Sequence, residues 1–394
     1  MTIADLASQI LDGHRISPAD AVRLLEEADL ATLAFLADAV RQKQHPQPVV
    51  TYIIDRNLNP TNVCVTDCGF CAFYAKPKDQ KKAYVLDRET IYRKVQETVD
   101  VGGVQILMQG GHHPDLPVEW FEELLRDLKS RWPKLHLHAM SPPEIEHLGR
   151  VSKISTLEVL RRLQNAGMDS MPGGGAEILV DRVREEIAPR KTRSDVWLRI
   201  MEEAHSLGMR TTATMMFGHV EAPAERVEHM SRLRDLQDRT GGFTAFICWT
   251  FQPGGNPLGE RMLAEGWQKA THAQYFRTVA VARIFLDNFT NHQASFVTQG
   301  KDAAQLALRM GCNDFGSAML EENVVSAAGC SQLVQLDEIE QAVREAGFVP
   351  RRRNQRYEIV DERGARPLPG ELEACGASTT GKGPLQPVEK VGAA

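Results

Sequence analysis

No apolar run in the chain approaches the roughly 20 residues that a membrane-spanning helix needs, so no membrane partner is expected. Nor is there a surplus of cations. The 46 Lys and Arg stand against 52 Asp and Glu, a net charge of −6, and no nucleic-acid partner is expected. Residues 1–16 are acidic and mixed and lack the apolar centre of a secretory signal. Cysteine is scarce, with 7 in 394 residues, and an odd number with three clustered does not make a disulfide framework. These absences point to a reducing, cytoplasmic setting. The rest of the composition, 42% hydrophobic and 25% charged, is ordinary for a globular enzyme, and the length suits one large domain with additions.

What is present is concentrated in residues 57–76, which hold Cys64, Cys68 and Cys71 in a C-x3-C-x2-C arrangement. Zinc normally takes four ligands, in C-x2-C pairs or with histidines at matching spacing, and here a fourth is missing locally. A cluster held by three thiolates instead leaves one iron with an open position, where a substrate or cofactor can bind. Asn57, Asn59, Pro60, Thr61 and Asn62 give loop character before the first cysteine, and a strand-like run at 49–54 leads into it. Phe70, just before the third cysteine, is the candidate for cofactor contact, whereas Phe73 and Tyr74 read as anchors in the core.

From residue 49 the chain alternates. Strands are expected at 49–54, 104–109, 135–140, 170–172, 210–217, 245–251, 292–297 and 314–318. Helices are expected between them, at 88–99, 118–131, 156–165, 194–207, 222–238, 271–288 and 301–310. Eight strands with intervening helices make the α/β pattern of a (β/α)8 TIM-type barrel. The last two strands are the weakest on pattern, and an open partial barrel results if they fail to close. The expected divisions are 1–48, a helical segment; 49–330, the barrel; 331–369, a helix and strand extension; and 370–394, a disordered tail rich in Gly, Ala, Ser, Thr and Pro.

In such a barrel the chemistry collects at the C-terminal ends of the strands. After the second strand comes Gln109-Gly110-Gly111-His112-His113, where glycines let the backbone approach a ligand. After the third comes Ser141-Pro142-Pro143-Glu144, a polar pair on a proline turn, with helix capping by Ser141 as the plain alternative. After the fourth, Gly173-Gly174-Gly175-Ala176-Glu177 makes room beside a ligand, and Glu177 is placed to accept from ribose hydroxyls. Arg190 and Lys191 form a basic point that suits a carboxylate. Thr214 follows as a cofactor contact, and residues 249–255 give an aromatic and amide-rich rim. Asn291 and the Asn313-Asp314 pair complete a polar rim that suits a sugar-like substrate.

The cysteine triplet with an aromatic before its third member resembles the signature of the radical S-adenosylmethionine (SAM) superfamily. That resemblance implies a [4Fe–4S] cluster on Cys64, Cys68 and Cys71, with SAM on the fourth iron and a low-potential electron donor of flavodoxin or ferredoxin type. It implies cofactor contacts at Phe70, Gly110, Gly111, Ser141, Glu177 and Thr214. The runs Asp55-Arg56-Asn57, Cys71-Ala72-Phe73-Tyr74, Ser141-Pro142-Pro143-Glu144-Ile145 and Glu321-Glu322-Asn323-Val324-Val325 narrow the resemblance. They are similar to the futalosine-pathway menaquinone enzymes and the related deazaflavin (F0) synthase subunit, and most of all to the members that cyclise dehypoxanthine futalosine.

The implied reaction abstracts hydrogen from C4′ of a nucleoside-like substrate's ribose. The carbon radical adds to the aryl ring, and loss of a proton and an electron restores aromaticity. His112, Glu177 and Asp314 are the candidate bases. Arg56, Gln109, His112, Arg190, Asn291 and Asn313 are candidate substrate contacts, with Lys191 and the arginines at 351–356 as further partners for a benzoate. Pro60 brings the lead-in nearer to aminofutalosine synthase, so that activity, the F0 synthase subunit and a zinc-stabilised binding module remain alternatives.

Overall fold

The computed structural model describes residues 2–330 and 334–361, and the structural statements below concern those residues. The tail expected at 370–394 lies outside them. The strands are β1 (Val49–Ile53), β2 (Asp55–Leu58), β3 (Gln105–Met108), β4 (His136–Ala139), β5 (Ser170–Met171), β6 (Arg210–Phe217), β7 (Phe243–Thr250), β8 (Asn291–Gln293), β9 (Asp314–Ser317), β10 (Val349–Arg353) and β11 (Ile359–Asp361). They form one sheet in the order β11-β10-β1-β9-β8-β7-β6-β5-β4-β3-β2.

The sheet closes on itself because β1 and β2 are two halves of one run, broken only at Ile54. The first half pairs in parallel with β9, and the second pairs in parallel with β3. Chain beyond β9 continues along β2: Ala318 N–H donates to Ile53 O, Leu320 N–H to Asp55 O, and Asn57 N–H donates to Glu321 O. Eight parallel strands therefore complete a circuit, with β1 and β2 counted as one. The weak last strands do close, although β8 is only Asn291–Gln293, and the last two residues of the expected strand 292–297 open the helix Phe296–Gln299. Asn57, expected to begin a loop, instead belongs to β2, because barrel closure supplies partners on both edges of that strand.

Helices cover the outside, including Arg88–Asp100, Val118–Arg131, Ser194–Ser206, Pro223–Thr240 and His272–Phe285. Their starts are fixed locally: Asp87 accepts from Thr90 N–H, and Thr271 with Gln274 forms a capping box. Residues 141–144, expected as a rigid turn, instead start the helix Pro142–Ser152, with proline at its first positions, where no N–H is needed. The N-terminal helices Ile3–Asp12, Pro18–Glu27 and Leu30–Gln44 bury Leu6, Ile10, Leu24, Leu25, Leu33 and Leu36. The second and third pack against His272–Phe285.

The segment after residue 348 joins the main sheet. Its β10 pairs in parallel with β1 over Val49–Tyr52, and Arg353 reaches under the barrel. There Arg353 makes two hydrogen bonds to Asp314, at 2.5 and 2.9 Å, with both side chains buried. Thr51 donates to the same carboxylate at 2.5 Å, and the Arg353 guanidinium lies 4.0 Å from the centre of the Tyr357 ring. Asp314 opens β9, so it sits at the N-terminal floor of the barrel, away from the rim. Removing one partner of a buried ion pair costs about 3–5 kcal/mol, because the other is left charged and unpaired. Arg353→Met is therefore expected to lower the urea unfolding midpoint by that order. Adding Asp314→Asn should recover part of the loss, and a double variant no better than the single would refute the pairing.

Candidate active site

The three cysteines lie on the loop that follows β2. Its path is fixed by backbone bonds to four neighbours: Cys64 N–H to Ala75 O at 3.0 Å, Val65 N–H to His112 O at 3.1 Å, Gly69 N–H to Ile187 O at 2.9 Å, and Leu258 N–H to Gly69 O at 2.8 Å. Asp67 takes a left-handed conformation, φ +54°, between the first two cysteines, and its carboxylate accepts from Tyr74 and Arg190. Met140 and Glu177, also with positive φ, stand after β4 and β5. Three of the five non-glycine residues in this sparsely populated region thus border one site.

That site is a cavity of about 280 Å³, and all three cysteine side chains line it. Burial pushes the Cys68 thiol up to about 12 and raises Cys71 as well, so both hold their protons until a cation binds. Among the described residues no three His, Cys, Asp or Glu side chains close round a single metal ion. The three thiols line one cavity, the donor set that an iron–sulfur cluster with one open iron takes.

Beside the thiols the wall is built from the ends of β3, β4 and β5. The Glu144 carboxylate accepts from Gly110 N–H at 2.9 Å and from Ser141 Oγ at 2.6 Å. Burial outweighs those two bonds and raises its pKa to about 7. Glu177 accepts from Lys191 Nζ at 2.7 Å through one oxygen, and its other oxygen is buried without a partner. Burial penalises the Lys191 ammonium, but the Glu177 carboxylate and the Cys68 sulfur more than offset this and raise its pKa. Lys191 also sits 4.9 Å from the centre of the Phe70 ring. His112 Nδ1 is 2.5 Å from Thr66 Oγ1, and its ring stacks on His147. Burial, with His147 alongside, holds its pKa far below the ordinary value, so the ring is neutral at pH 7.

The opposite wall comes from the ends of β7 and the chain beyond β8 and β9: Trp249, Thr250, Phe251, Gln252, Thr298, Val324 and Val325. Gln252 Nε2 donates to Thr250 O at 3.0 Å, and its Oε1 accepts from Lys269 Nζ at 2.7 Å.

Of the residues singled out from sequence, Cys64, Cys68, Cys71, Phe70, Gln109, Gly110, Gly111, His112, Ser141 and Glu177 line this cavity together. Six others do not. Asp314 is held by Arg353 on the floor, and Asn291 and Asn313 stand at strand starts, bonded to Thr244 O and to Arg283 and His292. Thr214, mid-strand in β6, donates to Gly173 O. Arg56 points outward to Glu97 and Glu321. Arg190 points to solvent while its neighbour Lys191 points in, and among the arginines at 351–356 none lines the cavity. Glu144, Trp249 and Gln252, read from the sequence as rim residues, line the cavity as well. Lys269 was missed, because it lies on the chain after the helix Pro257–Ala264 and not at a strand end.

The glycines serve packing more than ligand approach. A Cβ on Gly111 would lie 2.2 Å from Val63 O, and one on Gly174 would lie 2.1 Å from Gln109 Nε2. Gly111 N–H also donates to Thr61 O at 2.8 Å. The end of β3 thus presses directly on the cysteine loop.

Fold and site together define a class: a parallel barrel whose rim loop turns three cysteine thiols into one cavity at the C-terminal ends of the strands. The radical SAM superfamily profile matches residues 58–233, and that of the CofH/MqnC C-terminal region matches 240–365. Cyclic dehypoxanthine futalosine synthase of Streptomyces coelicolor is 49% identical over 348 residues, 88% of this chain and 86% of that one. The enzyme of the same name from Halalkalibacterium halodurans is 45% identical over 91% of this chain and 95% of its own. A 5-amino-6-(D-ribitylamino)uracil–L-tyrosine 4-hydroxyphenyl transferase of Methanosarcina barkeri is 40% identical over 84% of this chain and 87% of its own. Among solved structures, methylornithine synthase shares the fold with a TM-score of 0.68 at 17% identity, over 88% of this chain and 97% of that one. The hydrogenase maturase HydG does so at 0.69 and 14%, over 90% and 76%. The chain belongs to the radical SAM superfamily and, within it, to the CofH/MqnC group. It is an enzyme, and its family works with a [4Fe–4S] cluster and SAM.

If the Gly111 contact positions the cysteine loop, Gly111→Ala must displace that loop. The variant is expected to fold, by circular dichroism, yet to take up less than half the iron and sulfide of the parent on anaerobic reconstitution. Full iron loading would show that the contact does not set the loop.

Proposed function

We propose that this protein cyclises dehypoxanthine futalosine to cyclic dehypoxanthinyl futalosine, by removal of the C4′ hydrogen of the ribose, in menaquinone biosynthesis. The observation that carries this reading is the near full-length identity to two synthases of that name, higher than to the tyrosine 4-hydroxyphenyl transferase. Cys64, Cys68 and Cys71 would hold the cluster, and Phe70, Gly110, Gly111, Glu177 and Lys191 would hold SAM. When bound, the pair supplies a 5′-deoxyadenosyl radical.

The chain's own residues place the substrate and exclude water. Trp249 and Phe251 offer faces to the aryl ring and the sugar. The thiols and the aromatic wall face one cavity, and a substrate bound there would bring C4′ close to the cofactor. Of the three candidate bases, Asp314 is out of reach on the floor. His112 is neutral but weakly basic. The unpartnered oxygen of Glu177 is the acceptor we assign to the ring proton. Lys191 is the cation among the lining residues and is engaged by Glu177, so we assign the benzoate to Gln252 at the far wall, with the exposed Lys269 ammonium behind it on Gln252 Oε1. An acidic, low-potential flavodoxin or ferredoxin supplies the electron.

Anaerobic incubation with SAM, dithionite and dehypoxanthine futalosine, followed by mass spectrometry, tests the reaction. The expected result is 5′-deoxyadenosine and a product lighter than substrate by the two hydrogens lost. Adenosyl carbon in the product, or consumption of tyrosine instead, would replace this reading by one of its sister reactions. In the same assay Lys269→Met is expected to raise KM about tenfold or more with little change in kcat, since a charge-assisted hydrogen bond is worth about 1.5–3 kcal/mol. An unchanged KM would move the carboxylate elsewhere.

A further inference from the structure

The outer side of the cysteine loop carries a second feature that the cyclisation does not use. Immediately after Cys71 the chain runs Lys76, Lys78, Lys81 and Lys82, all exposed. Among the described residues none of these four ammonium groups has a carboxylate partner within salt-bridge distance. Elsewhere on the surface, cations are commonly paired, as in Arg23 with Glu27 and Arg161 with Glu158. In a chain of net charge −6, a local run of unpaired lysines is set against the overall field.

This basic segment is fastened to the cysteine loop. Asn62 Nδ2 donates to Lys82 O at 2.8 Å, and Asn62 Oδ1 accepts from Tyr84 N–H at 2.9 Å. Thr61 Oγ1 donates to Tyr84 O at 2.7 Å, and Leu86 N–H donates to Pro60 O at 2.8 Å. The patch extends round the loop through Asp67, whose carboxylate is lowered first by the Tyr74 hydroxyl and then by nearby Lys76 and Arg190. Arg190 lines a shallow groove with Val65, Thr66, His147 and Arg150. Val65 is 38% exposed and directly follows Cys64. An exposed apolar side chain ringed by cations has the make-up of a protein contact with a polar rim. Asp79 is the acidic residue within the lysine run, and it is engaged by the backbone N–H groups of Lys81 and Lys82.

We propose that this face, centred on Val65 and bounded by Arg150, Arg190 and the lysines at 76–82, is the docking surface for an acidic one-electron carrier protein. The proposal rests on the radical SAM chemistry, which needs one electron from outside for each cluster reduction. The carrier, a reduced flavin or iron–sulfur protein, is oxidised by one electron; the cluster is reduced by one; no bond is made or broken. Docking here puts the donor against the loop that bears the thiols. Electrostatic pairing then sets the encounter rate and makes it sensitive to salt.

The test uses the reconstituted full-length protein and an acidic flavodoxin as probe. The charge-reversal variant Lys76→Glu, Lys78→Glu, Lys81→Glu, Lys82→Glu is compared with the parent, and Arg150→Glu serves as a separate single change. Flavodoxin affinity is read by titration, and cluster reduction by the bleaching of visible absorbance on stopped-flow mixing. The expected result is at least a tenfold weaker affinity and slower reduction in both variants, a flatter salt dependence, and unchanged turnover with dithionite. Affinity and reduction rate equal to the parent would overturn the proposal. So would equal weakening by Arg199→Glu and Arg239→Glu, on other helices. Should dithionite-driven assays yield no cyclic product even from the parent, the cyclase reading fails while the binding arm still decides the surface.

Discussion

The rim of this barrel depends on a single run of chain forming both edges of the parallel sheet. Between Val49 and Leu58 the backbone pairs first with β9 and then with β3, and the continuation of β9 fills the remaining edge of β2. The cysteine loop starts where that run ends. Its sulfurs are consequently referenced to two sides of the barrel, and the bonds from Ala75, His112 and Ile187 hold it there. A loop tethered only at its ends would need the metal to organise it. Here the backbone path is already defined by hydrogen bonds that involve no sulfur.

Near the floor, Asp314, Arg353 and Thr51 satisfy one another, and Asp55 is bonded by Gln105 at 2.7 Å and by Ser317. Near the rim, polar atoms are left partly unsatisfied, with the free oxygen of Glu177 the clearest case. Buried polar atoms in a folded protein are nearly always paired. The orphaned oxygen of Glu177, which faces the cavity, therefore marks where a ligand hydroxyl or a proton would complete the set.

Much of this was readable from residue order. The cysteine spacing, the glycine pairs after β3 and β5 and the alternation of strand and helix led to the right fold and the right side of the cavity. The errors have two physical origins. Short strands such as β8 and β9 carry little periodicity, so their starts were taken for their ends, and Asn291, Asn313 and Asp314 were placed a full strand length too high. Arg56 and Thr214 failed differently: both lie inside strands, where the facing of a side chain depends on register, and register is set by partners distant in sequence. Arg190 and Lys191 show the same limit at its smallest scale. They are adjacent and alike in charge, and only the turn between Ala188 and Lys191 sends the second inward.

The pairing of Asp314 with Arg353 spans 39 residues, and the anion comes first. During synthesis on the ribosome the last barrel strand leaves the exit tunnel with a carboxylate that must be buried and no counter-charge yet available. A barrel that ended before the C-terminal strand would hold that carboxylate buried and without its cation.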